Sequence, residues 1–231
     1  MRPSPIAVAG ALVLLLAFPR EVGAICPTLA PGGSELELSA GRGPLLIYPS
    51  TGPAPLTVEI RWWSYPIPNP ALVEFDAKGD GTPEWSQRQF QSSERNYTYQ
   101  REGDYRFTVR VHDSSGQVTA YSVPVKVLSP SAFDADLQSR WATLKANLRG
   151  GDIKAALECV HSRSRSRYQQ LFKALSGDLP DVDRILTGIR LVEVRRGEAI
   201  YEMIRMETGV ARSFEVRFVI DGDGVWRVRS F

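Results

Sequence analysis

From Tyr105 to His112 the chain alternates without a break: Tyr105, Phe107, Val109 and Val111 fall on one side, Arg106, Thr108, Arg110 and His112 on the other. A period of two predicts a strand with one buried and one wet face. Leu56, Val58, Ile60 and Trp62 repeat the pattern. Leu45-Leu46-Ile47-Tyr48 and Ala71-Leu72-Val73-Glu74-Phe75 read as short core strands, and Val118 to Leu128 follows a Ser114-Ser115-Gly116 hairpin turn. Between them lie the turns Pro49 to Pro55 and Asp76 to Gly81. Tyr65 to Pro70 carries three prolines, which remove ladder donors, so it reads as a surface loop. Short strands at roughly ten-residue intervals predict an all-β sandwich.

At Ser129-Pro130-Ser131 the period changes to 3.6. Leu137, Trp141, Leu144 and Leu148 share one face of a helix over 135–148, capped by Asp134 or Ser131 and stopped by Gly150-Gly151. Asp152 caps a second helix with Ile153, Ala156, Leu157 and Val160 on one face; 166–175 and 179–189 predict two more. From Arg190 the alternation returns in Leu191 to Val194, Ala199 to Met206, Arg212 to Ile220 and Val225 to Phe231. Helices followed by an antiparallel meander predict an α+β layer. The fold class is therefore two domains, an all-β sandwich and then an α+β domain of three or four helices on an antiparallel sheet.

The first residues change this picture by adding a compartment. Arg2, the apolar run Ile6 to Phe18 and the small-residue site Val22-Gly23-Ala24 predict a secretory signal peptide over 1–24. The run is shorter than the roughly twenty residues a membrane span needs, so no transmembrane segment is expected after cleavage. A lipoprotein reading centred on Cys26 is the weaker one, because Ile25 stands where a small residue is wanted. A Pro, Gly and Ser-rich leader follows over 25–39, with an edge strand around Leu36 and Leu38. The domains are then 40–128 and 134–231, joined by a linker over 129–133. Secreted or periplasmic localisation permits one disulfide, Cys26 to Cys159, worth roughly 4–5 kcal/mol in the chain-entropy model. The alternative is a buried Cys159 thiol.

With 231 residues, 43% hydrophobic and 23% charged, the composition is that of an ordinary globular protein. A formal net charge of +2 gives no global reason to expect nucleic acid.

Three motifs in order carry a resemblance. They are Gly52-x-Ala54-Pro55-Leu56-Thr57-Val58, the Phe75-Asp76 to Gly79-Asp80-Gly81-Thr82 turn, and Tyr99 followed by Gly103-Asp104-Tyr105-Arg106-Phe107-Thr108-Val109, Asp113 and Gly116. Together they resemble a PKD domain, an immunoglobulin-like β-sandwich. Phe75 stands where that pattern has Trp, and Ala77-Lys78 alter the turn. The resemblance implies an extracellular module for protein or carbohydrate contact, without chemistry of its own. Residues 134–231, with their Asp221-Gly222-Asp223-Gly224 turn and terminal strand, are similar to the cone fold of nuclear transport factor two-like proteins. That family includes pocket enzymes and non-catalytic partners.

Candidate chemistry is sparse. Asp76-x-Lys78-x-Asp80-Gly81 has the outline of a calcium loop, yet Lys78 sits where an oxygen ligand is needed and Gln87 occupies the twelfth position. His112 falls on a wet strand face, and His161 ends a helix, where a cation suits the dipole. No catalytic residues, metal site or cofactor are expected. Adjacent Trp62 and Trp63 must face opposite ways, so one of them is a candidate partner contact, for a protein or a sugar. Arg163, Arg165 and Arg167 are candidates for an anionic partner at a helix junction. Asn96-Tyr97-Thr98 is a glycosylation sequon. These features predict a non-enzymatic binding or assembly protein of the cell envelope. The alternative is a small-molecule-binding or hydrolytic cone on a sandwich stalk.

Overall fold

The computed structural model describes residues 45–62, 70–88 and 93–231. The expected signal peptide and leader, Cys26, Trp63 and most of the proline loop after it lie outside the described residues. Within them the protein is mixed α+β, with three sheets and four α-helices.

Eight strands come first: β1 (Leu45–Tyr48), β2 (Thr51–Pro53), β3 (Leu56–Trp62), β4 (Pro70–Asp76), β5 (Trp85–Gln87), β6 (Ser93–Tyr99), β7 (Gly103–Asp113) and β8 (Val118–Leu128). They form a three-stranded sheet ordered β1-β3-β6 and a five-stranded sheet ordered β2-β8-β7-β4-β5. The expected inward faces are the observed ones. Leu56, Val58, Ile60 and Trp62 are buried on β3, and Phe107, Val109 and Val111 on β7. Both sheets contribute to one hydrophobic cluster, with Trp62 of one against Tyr121 of the other at 5.7 Å.

The turn after β4 is built differently from its outline. Asp76 is buried, and its two carboxylate oxygens accept the N–H groups of Gly79 and Gly81 at 2.7 and 2.8 Å. Asp80 accepts the Thr82 N–H at 2.9 Å and stays at the surface of the turn. Asp76 thus organises the turn from inside the core.

One residue separates β8 from α1 (Pro130–Arg149). The stretch 129–133, expected as a linker, is Ser129 plus the first turn of that helix. Ser129 caps it by accepting from Ala132 N–H, and Pro130 takes the first helical position, where no donor is needed. The caps expected at Ser131 or Asp134 are corrected accordingly. Leu137, Trp141, Leu144 and Leu148 are buried as the spacing predicts. Then follow α2 (Ile153–Glu158), a 3₁₀ turn (Ser162–Ser164), α3 (Arg165–Ala174), a second 3₁₀ turn (Leu179–Asp181) and α4 (Val182–Ile185). The helix expected over 179–189 is thus a single short stretch, and Ile189 already starts a strand.

The last sheet is a meander ordered β12-β11-β10-β9, from β9 (Ile189–Arg195), β10 (Glu198–Glu207), β11 (Val210–Ile220) and β12 (Trp226–Ser230). Ala199, Tyr201 and Met203 of β10 and Val216 and Phe218 of β11 point inward, at 0–3% exposure. With Phe133, Leu137, Trp141 and Leu144 they form a second hydrophobic cluster that shares no buried residue with the first. No helix among the described residues is long and apolar enough to cross a membrane.

Candidate functional site

The two clusters meet where β1 and β2 face the ends of the last sheet. The Trp226 indole N–H donates to the Thr51 carbonyl at 3.3 Å, while its ring meets Phe133 edge-on at 5.1 Å. Gly197, in the β9–β10 turn, has φ 69° and lies against the Tyr48 hydroxyl. Arg196 beside it forms an ion pair with Glu59 of β3 and reaches Asn96 at 3.5 Å. Two recesses flank this junction. One, of about 520 Å³, opens between the β2 strand and the β9–β10 turn. The other, of about 450 Å³, opens between β1, the first 3₁₀ turn and the β11–β12 turn.

The wall of this second recess is organised by Asp221. It accepts the Ser162 N–H at 2.9 Å, the Ser162 hydroxyl at 2.7 Å and the Gly222 N–H at 2.8 Å. Arg227 reaches it at 3.2 Å and grips Asp223 through both terminal nitrogens at 2.5 and 2.6 Å. Burial pushes the Asp221 carboxyl up, but the Ser162 and Gly222 donors outweigh it and hold the pKa below the ordinary value.

His161 is 6% exposed in the same wall. Its Nδ1 accepts the Arg163 N–H at 3.2 Å, so the ring proton sits on Nε2, 3.5 Å from Asp221. Burial lowers the His161 pKa; Asp221 opposes this, while Arg229, Arg163 and Arg227 reinforce it. The expectation of a cationic histidine complementing a helix end is therefore corrected: His161 works as a hydrogen-bond acceptor at the start of a 3₁₀ turn. A Ser, a His and an Asp do come together here, without hydrolase geometry. The Ser162 hydroxyl donates to the Asp221 carboxylate and not to His161, so the serine–histidine contact of that geometry is not made.

A third cavity, about 260 Å³, opens into the last sheet between α3, α4 and β11. Phe172, Leu175, Val182, Leu186 and Phe214 line it, with Asp178 and Arg205 as the charged members. Arg205 is ion-paired with Glu207 and stacked over Phe214 at 4.7 Å. Deeper in the same cluster, the Tyr201 hydroxyl donates to Asp134 at 2.8 Å. Burial first, and then the neighbouring Asp134, raise the Tyr201 pKa. This tyrosine–aspartate pair escaped sequence reasoning because its members are 67 residues apart. It ties the start of α1 to the middle of β10.

The sequence-derived candidates scatter. Trp62 takes the inward place of its pair, 1% exposed, so it offers no surface to a partner. Trp63 is not among the described residues. Arg163 lines the recess beside His161. Arg165 instead turns back to the Val160 carbonyl and Glu158, both at 3.1 Å, and Arg167 lies over the Tyr168 ring at 5.9 Å. Cys159 is buried at the C-terminal end of α2. His112 is hydrogen-bonded to Glu74 at 2.9 Å. Among the described residues no group of three or more His, Cys, Asp or Glu is placed to hold a metal ion. Arg229 and Tyr48 were not singled out by sequence; both enter the 450 Å³ recess because the two clusters meet there.

A scan against protein-family models finds no match for this chain, and a search of curated proteins finds none either.

Proposed function

We propose that this chain is a secreted or periplasmic, non-enzymatic binding protein of the cell envelope. In this reading residues 40–128 are a PKD-like immunoglobulin-type sandwich and residues 134–231 a cone of the nuclear transport factor two-like kind. The partner is a protein or a carbohydrate. The observation that carries this is the packing of the cone. Ala199, Tyr201, Val216 and Phe218, which would line an open interior, are fully buried. The titratable pair among them is closed on itself. Surfaces and recesses remain, as suits recognition rather than chemistry.

Cell fractionation and co-sedimentation test this. The full chain, expressed in its source cell, is expected outside the cytoplasm with Ile25 as its first residue. Purified, it is expected to pellet with insoluble envelope material. Protein retained in the cytoplasm with Met1 intact, or left in the supernatant at every ionic strength, would sink the proposal.

The apolar cavity supports a second reading, a cone that holds a small apolar molecule. At about 260 Å³ it lies just under the roughly 300–1,000 Å³ usual for ligand pockets. Fluorescence enhancement of an apolar dye, abolished by Leu186→Trp, supports that reading; a dye indifferent to the substitution removes it.

A further inference from the structure

The three recesses differ in what becomes of their charges. In the one beside β2, Arg195 pairs with Glu193 at 2.8 Å and Arg196 with Glu59. In the apolar cavity Arg205 pairs with Glu207. Both places have cations that the protein itself neutralises. In the 450 Å³ recess Arg163 and Arg229 are exposed, and among the described residues neither takes part in an ion pair.

The acids of that recess are already committed. Asp221 receives two donors from Ser162, one from Gly222 and one from Arg227, and Asp223 is clamped by Arg227. Arg227 is the arginine that meets these two carboxylates, which leaves Arg163 and Arg229 as exposed cations lining the recess. Tyr48 and Ser50 stand across the recess, from the strand cluster. The Ser50 hydroxyl can donate and accept, while the Tyr48 hydroxyl is packed against Gly197 and its ring offers an apolar face.

We propose that this recess binds an acidic sugar unit of a polysaccharide, with Arg163 and Arg229 on its anionic group, Ser50 on a hydroxyl and the Tyr48 ring against its apolar face. This deepens the envelope-binding reading and rests on it for the carbohydrate partner. Guanidiniums suit the carboxylate, sulfate or phosphate of such a sugar because their planar fork donates two parallel hydrogen bonds. The volume falls inside the usual range for ligand sites, as that of the apolar cavity does not. A recess also admits a thin chain where a flat lipid surface meets only its rim. The site needs both clusters, since the cations come from one and the Ser50 hydroxyl and Tyr48 ring from the other. Of the arginine run, only Arg163 serves; Arg165 and Arg167 are held elsewhere by Glu158 and Tyr168.

The test is binding of the full chain to immobilised polygalacturonate and dextran sulfate, with neutral dextran and anionic phospholipid vesicles as comparisons. Arg163→Ala/Arg229→Ala is expected to weaken binding to an acidic polysaccharide by about tenfold or more. Lys173→Ala/Arg184→Ala, which removes two exposed charges elsewhere, is expected to leave it unchanged. Circular dichroism checks that each variant folds, and both target arginines are exposed. Equal loss in the two double variants means diffuse electrostatics and overturns the proposal. So does unchanged binding in Arg163→Ala/Arg229→Ala, or retention by vesicles and by no polysaccharide. A chain that pellets with envelope material but ignores every acidic polysaccharide overturns the sugar site while leaving the envelope reading in place.

Discussion

At the scale of single residues, Gly197 is the tightest point of the junction. An added Cβ there would run into the Tyr48 hydroxyl, on a backbone already at φ 69°. Gly116 has an equally left-handed φ of 86° but nothing within 4 Å of an added Cβ. Gly116→Ala should therefore cost only the conformational penalty, about 1 kcal/mol, and Gly197→Ala at least about 2 kcal/mol more. Urea unfolding of the two variants measures this, and Tyr48→Ala should recover part of the larger loss. His161 gives a pH dependence with a definite sign. Its folded pKa lies below 6.5, so the unfolded chain binds the proton more readily. Its stabilising contribution is complete above about pH 6.5 and declines as the pH falls from there towards the folded value. Asp221, with a folded pKa below 3.8, adds a second decline at more acid pH. Melting temperatures between pH 7.5 and 5 should fall in the parent and fall less in His161→Gln; parallel curves would refute this. Little of it was legible locally. The state of His161 is set by burial and, beyond the neighbouring Arg163, by Asp221, Arg229 and Arg227, which arrive from about sixty residues away, whereas its position at the end of a helical stretch suggested a cation.

Individual elements were legible to the extent that periodicity defines them. The inward faces of β3 and β7 and the stripe of α1 follow directly from spacings of 2 and 3.6, because burial selects those faces. Shorter pieces did not carry such a signal. β2, only three residues long, pairs parallel to β8 and lies wholly within the segment Pro49 to Pro55 that reads as a proline turn. β6 alternates polar with aromatic residues, Asn96-Tyr97-Thr98-Tyr99, which resembles punctuation more than a strand. The α1 cap shows how little separates the choices. Ser129, Ser131 and Asp134 can all cap, and Pro130 decides for Ser129 because proline belongs in the first turn. Ser129→Ala should lower stability by about 1 kcal/mol and Ser131→Ala by much less, as chemical denaturation would register. Equal effects would place the helix start elsewhere.

For the whole molecule, what the sequence could not convey is how the two clusters touch. Trp226 to Thr51, Arg196 to Glu59 and Gly197 against Tyr48 join positions that are all more than 100 residues apart. No pattern along the chain encodes such contacts. They predict that the clusters unfold together: tryptophan fluorescence and far-ultraviolet circular dichroism should give coincident transitions in urea. Glu59→Gln/Arg196→Gln should pull the two curves apart if the junction supplies the coupling. Separate transitions already in the parent would show that it does not.

The passage from β8 to α1 has a mechanical consequence. An eleven-residue strand of about 36 Å and a twenty-residue helix of about 30 Å are spliced through Ser129 alone. Tension applied at the far end of α1 is thus delivered straight into β8, a strand held by hydrogen bonds to β2 on one side and β7 on the other. Pulled along its length, such a strand must shear many bonds at once rather than unzip them one by one. The splice makes a stiff seam of the stretch that reads in sequence as a linker.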